Sequence, residues 1–396
     1  GYARALLDAV AAKKVPVAHL SSDLVRQLGN LRDAELDARI AKVWGTVRVT
    51  PKERAEIIRG WASKLKRPPQ TPDLAHGRAV YQKACAQCHT LFGVGGKVGP
   101  DITGANRSSL DYLLENVFDP SAVIPKEYAM SLIRTKRGRL ISGIVKEETP
   151  RALTVVTPEE TLTVATKEIE NRELSAVSMM PEDVLKGLNE TEIHALFAYL
   201  QSPVQTPLLA TPENARDLFN GKDLAGWDGD PKLWSVQDGE IVGKTTGLKR
   251  NAFLRSQMIG TDFRLTLKVK LTPNAENSGI QFRSENLAKG EGEDGEVKGP
   301  QADIGAGWWG KLYEEHGRGL LWKESGEKHV KPDDWNEYVI EANGTKVRTW
   351  INGQLCVDLD DAKLARRGLF AFQLHSGKAL EVRFKDIRLE VPGKKE

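Results

Sequence analysis

The apolar residues in the first 67 positions of the chain recur every three or four residues. This spacing places them on one face of each of three or four predicted helices. The residues that carry the pattern are Leu6, Leu7, Val10, Leu24, Leu28, Leu31, Ile57, Ile58, Trp61 and Leu65. The segment contains no residue pattern that suggests chemistry, so we expect it to supply a packing or docking surface.

Downstream of Pro212 the apolar and polar residues alternate one by one, as in "DFRLTLKVKL", "KVRTWING" and "LEVRFKDIRLEV". Alternation with a period of two is typical of strands with one buried face, and Gly, Asn and Asp separate the runs as turn residues. The pattern predicts an antiparallel all-β domain, built as a two-sheet sandwich or jelly roll.

Two proline-containing stretches, "KRPPQTP" and "QSPVQTPLLATP", interrupt these patterns and set the predicted domain boundaries. They divide the chain into a helical segment over residues 1–67, a middle domain over 69–203 and a C-terminal domain over 213–393. The middle domain begins and ends with helices, the last being "TEIHALFAYLQS", and holds a predicted β-rich insertion at about residues 128–175.

Composition adds little to this picture. The 396 residues include 57 Lys and Arg and 54 Asp and Glu, a net charge of +3 that gives no reason to expect binding to nucleic acid or to a membrane surface. The sequence has no apolar run close to the roughly 20 residues of a transmembrane helix. The chain starts at Gly1 without a signal peptide, which we interpret as a trimmed amino terminus.

Cys85, Cys88 and His89 form a C-x-x-C-H run in "KACAQCHTLF". A C-x-x-C pair alone could be a redox dithiol or half of a zinc site, but the adjacent His favours covalent attachment of one c-type haem. The two cysteines would form thioethers, and His89 would be the proximal iron ligand. The sequence has no second cysteine pair to complete a zinc site, since Cys356 lies far away in a predicted strand.

A methionine is the expected sixth ligand of the iron. Met179 and Met180 precede the closing helix, and we favour Met180 because it stands directly before Pro181. The alternative for either methionine is that it fills the core.

From about Thr71 to Ser202 the chain resembles the class I cytochromes c. "KVGPDITG" matches the Gly-Pro that follows the haem motif in that family, and the resemblance implies that the Pro100 carbonyl accepts a hydrogen bond from His89. With its β insertion the segment resembles the enlarged haem-binding domain of planctomycete and verrucomicrobial cytochrome fusions. That likeness implies electron transfer and an extracytoplasmic, periplasmic location in a bacterium. The amino-terminal helices resemble the end of a HEAT-type repeat array.

Seven of the nine tryptophans lie after Pro212. Tryptophan faces stack on sugar rings, although each one could instead fill the sandwich core. The neighbours Trp308 and Trp309 cannot both point inward from a strand, so we expect at least one of them to line a surface or cleft.

Polar side chains interrupt three predicted strands of the same domain. Strand alternation places Gln281 with Arg283, Gln301 with Asp303, and Gln373 with His375 on shared faces. Because unpaired charge on the core side of a strand is costly, such residues either face solvent or converge in a site. For His375 a structural role remains an alternative, and for Glu314 and Glu315 a solvated turn.

The segments "NSGI", "QADIG", "LYEE" and "QLHSG" recur in this order in the 3-keto-disaccharide hydrolase family, which the chain resembles from about Ala215 to Val391. The resemblance implies a concanavalin-like jelly roll that cleaves glycosides oxidised at sugar C3. The general base would be His375, Asp303 or Glu315, and Arg283 would stabilise the oxyanion. The expected substrate-binding residues are Trp308, Trp309, Gln301, Tyr313, Glu314 and Gln373.

The expected fold is therefore multidomain α+β, with a short helical segment, an all-α cytochrome c fold carrying a β-rich insertion, and an all-β sandwich. Making a 3-keto sugar removes two electrons, so a redox partner such as a sugar dehydrogenase could pass them to the haem. Two alternatives remain, namely a carbohydrate-binding sandwich without catalysis and a purely structural sandwich that docks the cytochrome to a larger complex.

Overall fold

The computed structural model describes residues 1–287 and 295–393. The chain forms two compact units, Gly1–Thr206 and Pro207–Glu396. No helix within the described residues is long and apolar enough to span a membrane.

The first unit opens with four helices, as the apolar spacing predicts, although Leu31 and Ile57 of that pattern are exposed. They are α1 (Tyr2–Ala11), α2 (Ser22–Gly29), α3 (Ala34–Val43) and α4 (Lys52–Lys66). Helices α1, α2 and α3 build a core that includes Leu7, Val25 and Ile40, and it also includes Ala122 and Val123 from beyond residue 67. Helix α4 packs on the core of the cytochrome region instead. The amino-terminal helices therefore share a core with the region that follows them.

The helices of the cytochrome region are α5 (Leu74–Ala84), α6 (Leu110–Phe118) and α7 (Glu190–Gln201). Helices α5 and α7 cross closely at Gly77, where a Cβ atom would lie 2.0 Å from the carbonyl oxygen of Ala195. One helical turn further along, the rings of Tyr81 and Tyr199 have centroids 5.6 Å apart. The small and aromatic residues of α5 and α7 thus allow a close helix crossing.

Nine strands belong to this unit, and five of them fill the predicted insertion. They are β1 (Gly45–Val47), β2 (Thr90–Leu91), β3 (Val94–Gly95), β4 (Val123–Pro125), β5 (Met130–Thr135), β6 (Leu140–Glu148), β7 (Ala152–Val156), β8 (Thr161–Ala165) and β9 (Ile169–Leu174). Strands β5–β9 form an antiparallel sheet in the order β8-β7-β6-β5-β9. Their alternation buries Ile133, Leu153 and Val155 in a core of their own.

The second unit is an all-β sandwich, as predicted. Its strands are β10 (Leu208–Leu209), β11 (Trp227–Asp228), β12 (Trp234–Gln237), β13 (Glu240–Leu248), β14 (Ala252–Gly260), β15 (Phe263–Thr272), β16 (Asn277–Asn286), β17 (Val297–Gly305), β18 (Leu312–Glu315), β19 (Gly319–Trp322), β20 (Asn336–Asn343), β21 (Lys346–Ile351), β22 (Gln354–Asp360), β23 (Gly368–Leu374) and β24 (Gly377–Glu390).

These strands form two sheets that pack face to face. The eight-stranded sheet runs β10-β14-β23-β16-β17-β18-β19 with β11 beside β14, and the seven-stranded sheet runs β12-β13-β24-β15-β20-β21-β22. Aromatic rings join the sheets, since Phe372 of β23 stacks on Phe384 of β24 with centroids 3.9 Å apart. Phe372 faces the other sheet, so its strand neighbours Ala371 and Gln373 point to the outer face of the eight-stranded sheet.

Candidate functional site

The C-x-x-C-H run lies in the turn that ends α5. The backbone N–H groups of Cys88 and His89 both donate to the carbonyl of Cys85, at 3.1 and 3.0 Å, so the three side chains share one tight turn. The hydroxyl of Tyr81 donates to the His89 carbonyl at 2.8 Å and fixes the turn against helix α5.

Burial sets the protonation of this motif. It raises the pKa of Cys85 to about 12 and also raises the pKa of Cys88, so both thiols are neutral at physiological pH. A redox dithiol needs an accessible thiolate with a lowered pKa. The structure therefore disfavours the dithiol alternative.

One face of the His89 ring is fixed by its surroundings. Its Nδ1 donates to the carbonyl oxygen of Pro100 at 3.0 Å, which is the hydrogen bond that the resemblance implies. A Cβ on Gly99 would lie only 2.7 Å from His89 Cε1, so a glycine is needed where the backbone passes the ring. Because Nδ1 carries the hydrogen, Nε2 keeps its lone pair for a metal. The residues present fit a covalently bound haem.

The methionine loop, which we define as residues 178–182, lies between strand β9 and helix α7. Met179 and Met180 are both half-buried. The Met180 N–H donates to Ser178 Oγ at 3.1 Å, and the Ser178 N–H donates to Ser121 Oγ at 3.2 Å. The choice of Met180 over Met179 as axial ligand stays a prediction.

The second candidate site lies on the outer face of the eight-stranded sheet. Gly279 of β16 pairs with Gln373 of β23 on one side and with Asp303 of β17 on the other, and Gln281 pairs with Gln301. Paired residues point to the same face, so four polar side chains from three adjacent strands meet there. Gly279 makes room for them, since its Cβ would lie 2.2 Å from the Gln301 side chain. We call these four residues, Gln281, Gln301, Asp303 and Gln373, the polar cluster.

A chain of side-chain hydrogen bonds connects Ser284 to the polar cluster, and its donors all point toward Asp303. Ser284 Oγ donates to Gln281 Oε1 at 2.6 Å, and Gln281 Nε2 donates to Gln301 Oε1 at 2.9 Å. Gln301 Nε2 then donates to Asp303 Oδ1 at 2.8 Å. Each amide accepts one bond and passes one on, so the chain ends with its donor aimed at the Asp303 carboxyl group.

The environment of Asp303 changes its proton affinity. Its pKa is raised to about 7, mainly by burial. The hydrogen bond from Gln301 lowers the pKa in part, and the negative charge of Glu315 raises it. Asp303 Oδ2 has no hydrogen-bond partner among the described residues, although the side chain is only 2% exposed. The group can therefore hold or release a proton near neutral pH.

Gln373 is fully buried, yet both Nε2 and Oε1 lack partners within the described part of the chain. A buried primary amide without partners is costly, and such groups in native proteins are associated with functional sites or with bound water. Gln373 and Asp303 Oδ2 thus leave a donor and two acceptors free in one small region.

Two titratable residues lie in a more accessible layer beside the polar cluster. Burial raises the pKa of Glu315, and the nearby His316 and His375 partly offset this effect. His375 Nδ1 lies 2.7 Å from the Ser376 carbonyl oxygen. A carbonyl only accepts, so Nδ1 is the donor in this contact, and Nε2 is not engaged by it. The structure therefore places an imidazole base near a carboxyl group.

The adjacent tryptophans diverge, as predicted. They lie in the turn after β17, where Trp308 is 39% exposed and Trp309 is 1% exposed. Trp309 donates to Asn274 Oδ1 at 2.7 Å. Trp308 meets the edge of Tyr313 with centroids 6.4 Å apart, and Tyr313 pairs with Gln301 of the polar cluster. Trp308 thus supplies an exposed aromatic surface next to the polar cluster.

The expectation that Arg283 shares a face with Gln281 is wrong. A β-bulge follows Gln281, with Arg283 in the left-handed region at φ 49°. Its guanidinium donates to the carbonyls of Thr261 at 2.6 Å and Gly344 at 2.9 Å, and to Asp262 at 2.9 Å. Arg283 is therefore committed to tying loops of the sandwich together, and the bulge is the reason that simple alternation failed.

Glu314 is also committed elsewhere. It forms an ion pair with Arg318 at 2.6 Å, which lowers its pKa, and Arg318 reaches Asp361 at 2.6 Å. Its neighbours on β18, Tyr313 and Glu315, point to the face that carries the polar cluster. The expected role of Glu314 in substrate binding is thus not supported, because its carboxylate closes a turn.

Sequence reasoning also missed residues that build the site. Ser284 starts the hydrogen-bond chain, and Gly279 provides its space. The only signal for Gly279 is a glycine inside a strand pattern, which is typical of close approach by another group. Ser284 carries no such signal.

Comparison with known families finds a match in each half of the chain. Residues 72–134 match the family of subunit III of the cbb3-type cytochrome c oxidase, and residues 214–390 match the 3-keto-alpha-glucoside-1,2-lyase-like domain. The chain thus joins a cytochrome c domain to a 3-keto-disaccharide hydrolase-like domain. A cytochrome c domain of this type implies covalently bound haem c. A comparison with curated proteins found no match.

The chain also resembles several solved structures over less than half of its length. A protein from Parabacteroides distasonis provisionally described as a glycosyl hydrolase is 20% identical, with 46% of this chain and 98% of that chain covered and a TM-score of 0.34. The carbohydrate binding module CBM66 from Bacillus subtilis is 18% identical, with 42% and 96% covered and a TM-score of 0.32. A Bacillus subtilis protein of unknown function with a galectin-like fold is 10% identical, with 42% and 90% covered and a TM-score of 0.33.

Proposed function

We propose that this fusion of a cytochrome c domain with a 3-keto-disaccharide hydrolase-like domain cleaves 3-keto-glycosides at the polar cluster and carries electrons through one haem c. The observation that carries the first part is the pair of unsatisfied buried groups, Asp303 Oδ2 and the Gln373 amide, beside an exposed Trp308. A sugar presents an apolar ring face and a rim of hydroxyl groups, which is the complement of this arrangement.

The chemistry requires a base, an acid and a donor to a developing negative charge. A ketone at C3 acidifies the proton on C2. The Nε2 atom of His375 takes that proton, and the electron pair of the C2–H bond forms an enolate with its negative charge on the C3 oxygen. The enolate then collapses, and a double bond forms between C1 and C2. The bond between C1 and the glycosidic oxygen breaks at the same time. Water then adds OH to C1 and H to C2, which completes hydrolysis.

The carboxyl groups and the amide have separate roles in this scheme. The leaving oxygen needs a proton, and we assign its supply to Glu315 because burial raises the pKa of this carboxyl group and so favours its protonated form. The charge of Glu315, once it is ionised, raises the proton affinity of Asp303 in turn. The Gln373 N–H groups can donate to the enolate oxygen that forms at C3, and Trp308 stacks on the ring.

The test is to incubate the full chain with a 3-keto-disaccharide and, separately, with the parent disaccharide. We expect released monosaccharides from the keto sugar only, because the parent lacks the acidic C2 proton. The His329→Ala variant, which changes a histidine outside the polar cluster, should behave as wild type. Measurable binding of the parent disaccharide without cleavage of the keto sugar would instead establish a carbohydrate-binding sandwich.

The haem part of the proposal rests on the C-x-x-C-H turn. Cys85 and Cys88 would form the thioethers, and His89 Nε2 and Met180 would be the axial ligands. When bound, haem c supplies a one-electron couple between ferric and ferrous iron. The backbone carbonyl of Pro100 holds the ring of His89 in one orientation, and burial of the Cys85 side chain excludes water from that side.

The two activities belong together in this proposal, because oxidation at C3 releases the electrons that a tethered cytochrome can accept. The redox partner would be a sugar dehydrogenase, and the compartment would be the periplasm, where covalent haem attachment takes place in bacteria. Mixing the holoprotein with a glycoside 3-dehydrogenase and its substrate should reduce the haem, as followed by its absorption bands. An oxidised spectrum throughout would argue against this partner class.

A further inference from the structure

Three arginines of the amino-terminal segment form ion pairs with acidic residues of the cytochrome region. The pairs are Arg26 with Glu115, Arg48 with Asp119, and Arg54 with Glu182. Glu182 belongs to the methionine loop itself, and Asp119 lies two residues before Ser121, which bonds to Ser178 of the loop. We infer that residues 45–54 brace the methionine loop, and that Glu182 is a positioning residue for axial ligation of the haem iron. The inference rests on the proposed function, since it presumes a methionine ligand.

The carboxyl end of the methionine loop is held by two arginines. One oxygen of Glu182 pairs with Arg54, and the other lies 3.5 Å from Arg48 Nη2. Arg54 also donates from Nη1 to the Phe118 carbonyl at 2.7 Å, at the end of helix α6. All three charged side chains are about two thirds buried, so solvent screens these contacts less than it screens a surface pair.

The amino end of the loop is held through Ser121, which is buried. Ser121 Oγ accepts from the Ser178 N–H at 3.2 Å. Two residues earlier, Asp119 is fully buried and accepts from Arg48 Nη2 at 2.6 Å and from Nη1 at 3.4 Å. One arginine therefore contacts Glu182 at one end of the loop and the segment that anchors Ser178 at the other end.

Backbone pairing fixes this arginine in turn. The Arg48 N–H donates to the Ala122 carbonyl at 2.8 Å, and strand β1 pairs with β4 through three residue pairs, including Val47 with Val123. Backbone hydrogen bonds therefore join the amino-terminal segment to the residues that anchor the methionine loop. A pre-organised loop loses less conformational entropy when its methionine binds the iron, so the brace should raise the fraction of protein that is methionine-ligated.

The test uses the haem-loaded full chain and imidazole, which competes with methionine for the sixth position. The Glu182→Gln variant keeps the side-chain shape and removes the charge. We expect imidazole to bind roughly tenfold more tightly to this variant, because apparent affinity rises with the fraction of loop that is released. The charge-transfer band of methionine-ligated ferric haem should weaken, and the reduction potential should fall.

A matched control comes from helix α4, which also carries Arg54. Lys64 of α4 pairs with Glu190 at 2.9 Å and does not contact the methionine loop, so Lys64→Ala should leave imidazole affinity and potential unchanged.

Two results would count against the inference in distinguishable ways. A wild-type band that Glu182→Gln leaves unaltered, with unchanged imidazole affinity, would overturn the brace and leave methionine ligation intact. A wild-type holoprotein without the methionine band would overturn the axial-ligand proposal and the brace together.

Discussion

Gln301 Nε2 donates a hydrogen bond to Asp303 Oδ1 at 2.8 Å, while Asp303 Oδ2 finds no partner among the described residues. One carboxyl oxygen is thus held by the strand scaffold, and the other is free for chemistry. Asp303 therefore differs from those exposed carboxylates of the domain whose charges are balanced by ion pairs.

The stability of the sandwich should fall as the pH rises from about 4 to about 7. Below about pH 4 Asp303 is protonated in both states, whereas between the unfolded pKa of about 3.9 and the folded pKa of about 7 only the folded state keeps the proton. The fall should be a few kcal/mol, at about 1.4 kcal/mol for each tenfold change in proton affinity. Denaturation followed by tryptophan fluorescence measures it, because seven of the nine tryptophans lie in this unit.

The Asp303→Asn variant is the control for this pH dependence. It should lack the contribution of Asp303, so the difference between the midpoints of the two proteins should change over the same range. If wild type and Asp303→Asn show the same slope, another group is responsible.

His375→Ala should lower kcat/KM for a 3-keto-disaccharide by about 10²–10⁴, the usual contribution of a general base. Binding of the keto sugar should change only a few fold, since the ring contacts remain. Kinetics and calorimetric titration on the same protein separate the two effects. Full activity in the His375→Ala variant would move the base to a carboxylate.

Trp308→Ala and Trp309→Ala should affect different properties although the residues are adjacent. Removing exposed Trp308 should raise KM for the sugar with little loss of stability. Removing buried Trp309 should cost about 3–5 kcal/mol of unfolding free energy, because it leaves a large cavity. Steady-state kinetics and denaturation of both variants test this. Equal destabilisation by the two changes would contradict the assignment.

Met180→Ala should abolish the methionine charge-transfer band of the ferric haem and lower the reduction potential, since methionine ligation favours ferrous iron. Met179→Ala is the matched control and should keep both properties. If the two variants exchange behaviour, Met179 is the axial ligand.

Gly77→Ala should destabilise the cytochrome region by about 1–3 kcal/mol, because the new methyl group would overlap the Ala195 carbonyl and push α5 away from α7. Gly60→Ala offers the comparison, since this glycine of α4 has nothing within 4 Å of an added Cβ. That change should stabilise the helix by about 0.5–1 kcal/mol. Guanidinium denaturation followed by haem absorbance compares them, and a neutral Gly77→Ala would show that the helices can separate freely.

Features that depend only on neighbours along the chain could be predicted from the amino-acid pattern. The C-x-x-C-H run defines a local turn, and period-two alternation is a property of each strand, so the haem motif, the β insertion and the sandwich were predictable. The divergence of Trp308 from Trp309 was predictable for the same reason.

Tertiary structure decided which side chains meet. A bulge after Gln281 turned Arg283 toward loop carbonyls, and Arg318 drew Glu314 away from substrate, because strand register and ion pairs depend on residues distant in sequence. The same long-range pairing brought Arg48 and Arg54 to the methionine loop. Local pattern therefore identified the cofactor and the scaffold, and only non-local contacts determined which polar groups remain free to act.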